Sequence, residues 1–268
     1  MTMLRARRLA STAVVAALAL PGLAACQQSP DVAAYLGGAT IKQDRVEQIY
    51  DEVRDDMTAA QAAAREQADA AAAETGASPQ PAAPVQLPIK RQDVLNTLLT
   101  LDVLKRAAAA HGLAAADAPT AEQIAQEAGL SPEWEYTELY AETLRLRSAL
   151  RTAVQPATLT DADLRDVYER LIGDGAAGQV PSFEEFRTTL SPENKTLLET
   201  YVALREELET IAADQKIKLN PRYGDQQVTL LSANTEGGGE VPLVAVTFAG
   251  AADEDPYVTD VSEVATVS

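Results

Sequence analysis

The chain has 268 residues, with 40 acidic against 22 basic side chains and a formal net charge of −18. A surface this acidic repels phosphate backbones and anionic lipid headgroups, so it excludes nucleic acid as a partner and attachment to membranes through basic patches. Abundant alanine, 4% aromatic residues and no long β-branched alternation before the C-terminal part point to a mainly α protein with an aliphatic core, made by helices packing on helices.

The first element is a leader. Arg5, Arg7 and Arg8 precede an apolar stretch from Leu9 to Leu20, about half the ~20 residues of a spanning helix, which Pro21 and Gly22 break. This is the layout of a secretory signal peptide over residues 1–25. The single cysteine, Cys26, follows at once, and one thiol makes no disulfide within the chain. Leu23-Ala-Ala-Cys26 resembles the lipobox of bacterial lipoproteins. That resemblance implies a diacylglycerol on the Cys26 sulfur, cleavage between Ala25 and Cys26, and an extracytoplasmic protein held on the cell membrane by lipid. Cleavage removes three arginines and no acid, which moves the net charge from −18 to −21. Residues 26–30 then form a short polar tether.

A helical domain is expected over 31–224. Asp31 to Ile41 reads as a strand, a Gly37-Gly38 turn and a return. Thr40 and Gln43 have capping-box spacing for a helix whose apolar face is Val46, Ile49, Tyr50, Val53 and Met57. Beyond Met57 alanine and charge dominate up to Glu74, so the helix continues but leaves the core. Residues 75–88 are rich in Pro, Ala, Gly and Ser and read as a flexible loop. Arg91 to His111 is apolar round most of its circumference, which places that helix in the middle of the bundle. Thr120 and Gln123 open a short helix that Gly129 closes.

The phrase LSPE occurs at 130–133 and again at 190–193. Each offers a Ser N-cap, Pro at the first helical position and Glu in the first turn, so two helix starts are expected. The first helix should run to about Val154 and the second to about Asp214. Between them, Thr160 and Asp163 cap a helix with Leu164, Val167, Tyr168, Leu171 and Ile172 inward, and Ser182 and Glu185 cap another carrying Phe183 and Phe186. Lys216 to Leu219 alternates and reads as a short strand, expected beside the strand around Val32–Leu36 because neither stands alone. Residues 225–268 are acidic and rich in Gly and Val without clear periodicity. They read as a disordered tail, or as a tail with one strand in VPLVAVTF.

Four phrases, in this order, resemble the N-terminal domain of SurA-type and PrsA-type extracytoplasmic chaperones: VAAYLGGATIKQDRVEQI (32–49), RQDVLNTLLTLDVLKRAAAAHGL (91–113), LTDADLRDVYERL (159–171) and KIKLNPRYG (216–224). Taken together with the lipobox, they resemble the SurA-like lipoproteins of actinobacteria. The resemblance implies a multi-helix bundle with a small strand pair near the two ends of the domain. It also implies a chaperone whose partners are unfolded secreted polypeptides. In relatives with prolyl isomerase activity a parvulin domain of roughly one hundred residues would follow Leu171; here Gly173 to Pro181 and one short helix intervene before the last long helix.

Other chemistry finds little footing. The single histidine, His111, stands at a helix end that favours a positive group. Phosphate-loop, dinucleotide and nucleophile-elbow motifs are missing, and one His with one Cys is too few for zinc. DADLRD and DEDP lack calcium-loop spacing. No cofactor is expected, and no catalytic residue. Trp134, Tyr136, Phe183 and Phe186 are candidates for a client groove, with a core role the plainer reading of each. Two functions follow: a holdase binding many unfolded chains without ATP, or an envelope adaptor binding one folded partner.

Overall fold

The computed structural model describes residues 31–75, 84–173, 181–234 and 239–248. Cys26, the leader, most of the 75–88 loop and the end of the chain lie outside them. The fold is mainly α, with seven helices and two small antiparallel sheets among the described residues.

Strand β1 (Val32–Leu36) turns through Gly37 into β2 (Ala39–Lys42), which leads directly into helix α1 (Gln43–Thr75). Strand β3 (Lys218–Leu219) returns to the far edge of β1, giving the order β2-β1-β3. Ala34 pairs with Leu219 and Tyr35 with Lys218, so the expected juxtaposition of the two ends is present. The Asn220 side chain adds a hydrogen bond to the Val32 carbonyl at 3.0 Å. Thr40 is spent in the ladder opposite Tyr35, which is why it cannot cap α1 as its spacing suggests. The helix starts instead with the Gln43 amide donating to the Asp31 carbonyl at 2.8 Å.

Gly37 has φ +63, and a Cβ there would stand 2.7 Å from Gln215 Oε1; a Cβ on Gly38 meets nothing within 4 Å. Gly37→Ala should therefore cost about 1 kcal/mol or more in chemical denaturation, and Gly38→Ala a few tenths. Equal costs would contradict the turn geometry.

Helix α1 buries Val46, Ile49 and Val53; from Thr58 onward nearly every residue is exposed. Its distal half is an arm of about 27 Å at 1.5 Å per residue. Helix α2 (Arg91–Ala110) is central, as its all-round apolarity predicts: it buries nine residues and packs on α1, on α4 (Glu135–Ala153) and on α7 (Pro192–Asp214). Helix α3 (Ala121–Ala128) has the expected Thr120–Gln123 capping box and ends at Gly129 with φ +67.

The two LSPE phrases diverge. Ser191 caps α7, with Pro192 first in the helix. Ser131 to Trp134 forms a turn, and α4 begins only at Glu135. The Trp134 ring is buried and its indole N–H donates to Asp56 at 2.9 Å, which holds the chain out of the helix for one more turn. Helix α5 (Asp161–Gly173) buries Val167, whereas Ile172 is exposed and not on the inner face. Helix α6 (Phe183–Thr189) leans on α5 through Tyr168, which meets Phe183 edge-on at 5.7 Å and Phe186 at 5.6 Å.

The larger correction concerns the segment after Gly224. Residues 226–234 and 239–248 are not a disordered tail: the strand considered for VPLVAVTF is present, and it pairs with a second strand that was not expected. Strands β4 (Gln226–Asn234) and β5 (Glu240–Phe248) form an antiparallel hairpin, with Val228 opposite Val246. Val228, Leu230, Val244, Val246 and Phe248 join the main core, and the hairpin packs on α2, α5 and α7. The rest of the expected tail, 249–268, lies outside the described residues.

Candidate functional site

Two clefts flank the distal half of the hairpin, and Leu231 and Ser232 line both. The first is an apolar groove of about 380 Å³ between α5, α6, α7 and the hairpin. Leu171, Phe186, Leu190, Leu197, Leu231 and Leu243 line it, each half-buried; all but Leu171 also pack against the core. They come from α5, from α6 and its C-cap Leu190, from α7 and from the two hairpin strands. Ser182 and Glu185 cap α6, turning Phe186 and Leu190 towards the groove, and Ser191 caps α7 and sets the phase of Leu197.

An ion cluster holds one wall. Arg205 on α7 reaches Asp163 at 2.7 Å and Asp166 at 3.2 Å on α5, its side chain 13% exposed. Burial pushes the Asp163 carboxyl up, but hydrogen bonds from the Thr160 hydroxyl and amide, and then Arg205, outweigh it and hold that carboxyl below its ordinary value. The acids of DADLRD are thus engaged in ion pairs, Asp161 with Arg187.

The second cleft is polar and larger, about 480 Å³, between α2, α4 and the outer side of β4. The Asn96 amide donates to the Gln227 carbonyl at 2.8 Å and Arg147 to the Thr229 carbonyl at 2.9 Å. Tyr140 lines it, stacked on the buried Tyr136 with centroids 6.2 Å apart. Burial drives the Tyr136 phenol to about 12, so this buried ring stays neutral.

Of the four aromatic candidates, Phe186 lines the apolar groove and Phe183 packs beside it on Tyr168. Trp134 and Tyr136 are 5% and 8% exposed and belong to the core away from it. His111 closes α2, its Nε2 lying 2.9 and 3.0 Å from the two Glu207 carboxylate oxygens; this is a tie between α2 and α7. Among the described residues no three His, Cys, Asp or Glu side chains converge as metal ligands, and no helix is long and apolar enough to cross a membrane. Ala25, Cys26 and DEDP lie outside the described residues.

Leu231, Leu243, Arg147 and Tyr201 do not stand out in the sequence. The available signal was the apolar QVTLL run, the Gly-rich 236–239 segment and VPLVAVTF, which together read as a hairpin. No protein-family model matches the chain, and neither a curated protein nor a solved structure matches it.

Proposed function

We propose that this chain is a chaperone-like protein of the SurA N-terminal type, tethered to the outer side of the cytoplasmic membrane by lipid on Cys26, that holds apolar segments of unfolded secreted polypeptides. It works without ATP and without prolyl isomerase activity. The observation that carries this reading is the apolar groove: six large side chains converge on an open cleft of about 380 Å³ and stay half-exposed. Soluble proteins rarely gather apolar surface so without use for it. The occupant is an extended apolar client segment, since the groove offers leucine and phenylalanine surface but no unpaired charge to select a folded polar partner. The net charge of −21 left after cleavage before Cys26 keeps the carrier itself soluble. The tether keeps it where chains emerge and raises its effective concentration.

The purified soluble form, starting after Cys26, should slow aggregation of at least two unrelated unfolded proteins at near-stoichiometric ratio. Leu197→Ser with Leu243→Ser should reduce that protection several-fold. A prolyl peptide should keep its uncatalysed exchange time of tens to hundreds of seconds. In cells, Cys26→Ser should move the protein out of the detergent phase. Failure with every unfolded client, together with tight binding of one folded protein, would give the adaptor reading instead.

A further inference from the structure

The polar cleft on the other side of the hairpin is closed to a further strand. The β4 edge forms one wall, and its carbonyls at Gln227 and Thr229 already accept from Asn96 and Arg147. What the cleft offers a ligand is therefore its side chains, which come from α2, α4, α7 and the hairpin.

Three hydroxyls on its walls are unspent. Thr97 and Thr143 donate theirs to carbonyls of their own helices, Asp93 at 2.9 Å and Tyr140 at 2.7 Å. Those of Thr100, Tyr140 and Tyr201 have no hydrogen-bond partner among the described residues. Tyr201 is only 7% exposed, so its ring belongs to the core, yet its hydroxyl is neither bonded nor sealed from solvent. A buried tyrosine ordinarily gives its hydroxyl a partner, and the cleft is where that partner would stand. Tyr140 is 36% exposed with one face stacked on Tyr136, and it brings open aromatic surface to the same cleft.

Charge sets the class of ligand. Arg147 and Glu240 are the two charged residues on the cleft. Glu240, opposite Asn234 at the end of the hairpin, accepts from the Ser232 hydroxyl and is engaged there. Arg147 spends one N–H on the Thr229 carbonyl, and no carboxylate lies on it among the described residues. A guanidinium has five N–H donors in a planar fork, so enough remain to grip a carboxylate with two of them. One cation beside an acid suits a single negative charge and not a phosphate group, which carries about two. Tyr140 and Arg147 stand two turns apart on one face of α4, about 10 Å along its axis, a gap that two long side chains and one sugar-sized ring span.

We infer that this cleft binds a small acid of the sugar-acid type, a hydroxylated ring with one carboxylate. The carboxylate meets Arg147, the ring hydroxyls meet Thr100 and Tyr201, and the apolar face of the ring lies on Tyr140. The cleft volume of about 480 Å³ falls in the small-molecule range of about 300–1,000 Å³. Arginine selects against neutral sugars, and the free hydroxyls select against acids that carry none. The inference goes beyond the chaperone reading and does not depend on the apolar groove.

Calorimetric titration of the form starting after Cys26 with D-glucuronate tests it, with D-glucose and benzoate as partial ligands. Glucuronate should bind at least about tenfold more tightly than either, since glucose lacks the charge-assisted contact and benzoate lacks the hydroxyls. Inorganic phosphate should bind no better than glucose. Arg147→Gln should bring glucuronate down to the level of glucose, and Arg147→Lys, which keeps the charge but not the fork, should weaken it several-fold. Tyr201→Phe keeps the ring and its packing; it should weaken glucuronate several-fold with an unchanged melting point and unchanged aggregation suppression. Benzoate or phosphate binding as tightly as glucuronate would overturn the site. So would no binding at about 20 mM glucuronate, or binding that neither Tyr201→Phe nor Arg147→Lys changes. A loss of suppression in Tyr201→Phe at full stability would also overturn it, because the cleft would then belong to the client surface.

Discussion

A chain ending at Gly224 should melt at least about 10 °C below the full chain, or lose its cooperative transition altogether. The hairpin that such a chain lacks places Val228, Leu230, Val244, Val246 and Phe248 in the main core, each at most 5% exposed. Burying side chains of this size is worth about 1.5–3 kcal/mol each before the cost of ordering the strands. Truncation also uncovers the faces of α2, α5 and α7 that the hairpin covers. A net loss of only about 3 kcal/mol shifts the melting point of a domain this size by roughly 10 °C. The single substitution Val246→Asp tests the same packing with the chain intact. Val246 is 1% exposed, and an unpaired carboxylate there costs several kcal/mol. Thermal unfolding by circular dichroism measures both. A melting point within 2 or 3 °C of the full chain for the truncated form would mean that the hairpin is an appendage.

Arg205→Met should destabilise by about 2–3 kcal/mol at pH 7, and Asp163→Asn by less. Arg205 ties α7 to two acids of α5, and its loss leaves Asp163, with a side chain 12% exposed, facing a poorly hydrated wall. Asp163→Asn keeps the shape and leaves Asp166 for Arg205. The pH dependence separates the two. The folded-state carboxyl of Asp163 lies below its ordinary value, so its contribution is fully present above about pH 4 and fades as the pH falls through the lowered value. In Asp163→Asn that part of the acid limb should flatten below about pH 4. Urea denaturation across this range is the measurement, and an unchanged acid limb would remove Asp163 from the balance. Arg205→Met should also lower aggregation suppression more than its stability loss explains, because α5 carries Leu171 on the groove wall.

The helical half of this protein is legible because its signals are local. The Thr120–Gln123 and Ser182–Glu185 boxes, the Ser191-Pro192 start and the 3.6-residue spacing of Val46, Ile49 and Val53 each act within one or two turns, and the structure contains them all. The pairing of β1 with β3 also follows from the sequence, since strands this short cannot stay ordered alone. Local rules failed where a distant partner overrode them. Thr40 was taken by Tyr35 across the ladder, and the first LSPE was held open where Trp134 packs and bonds Asp56.

The hairpin was obscured for a related reason. Val244, Ala245 and Val246 are all buried in succession and the register slips at Thr229–Leu231, so period-two alternation is blurred. The composition and order of the chain by themselves determined a mainly α, aliphatic, acidic protein in which the strand at Val32–Leu36 meets the one at Lys218–Leu219. Only the tertiary structure decided that β4 and β5 complete the core and stand between an apolar groove and a polar cleft. The physical reason is range: caps and helical faces depend on residues a few positions apart, whereas Leu231 and Leu171 lining one groove, and Arg147 at 2.9 Å from the Thr229 carbonyl, depend on residues 60 and 82 positions apart that come together only once the chain has packed.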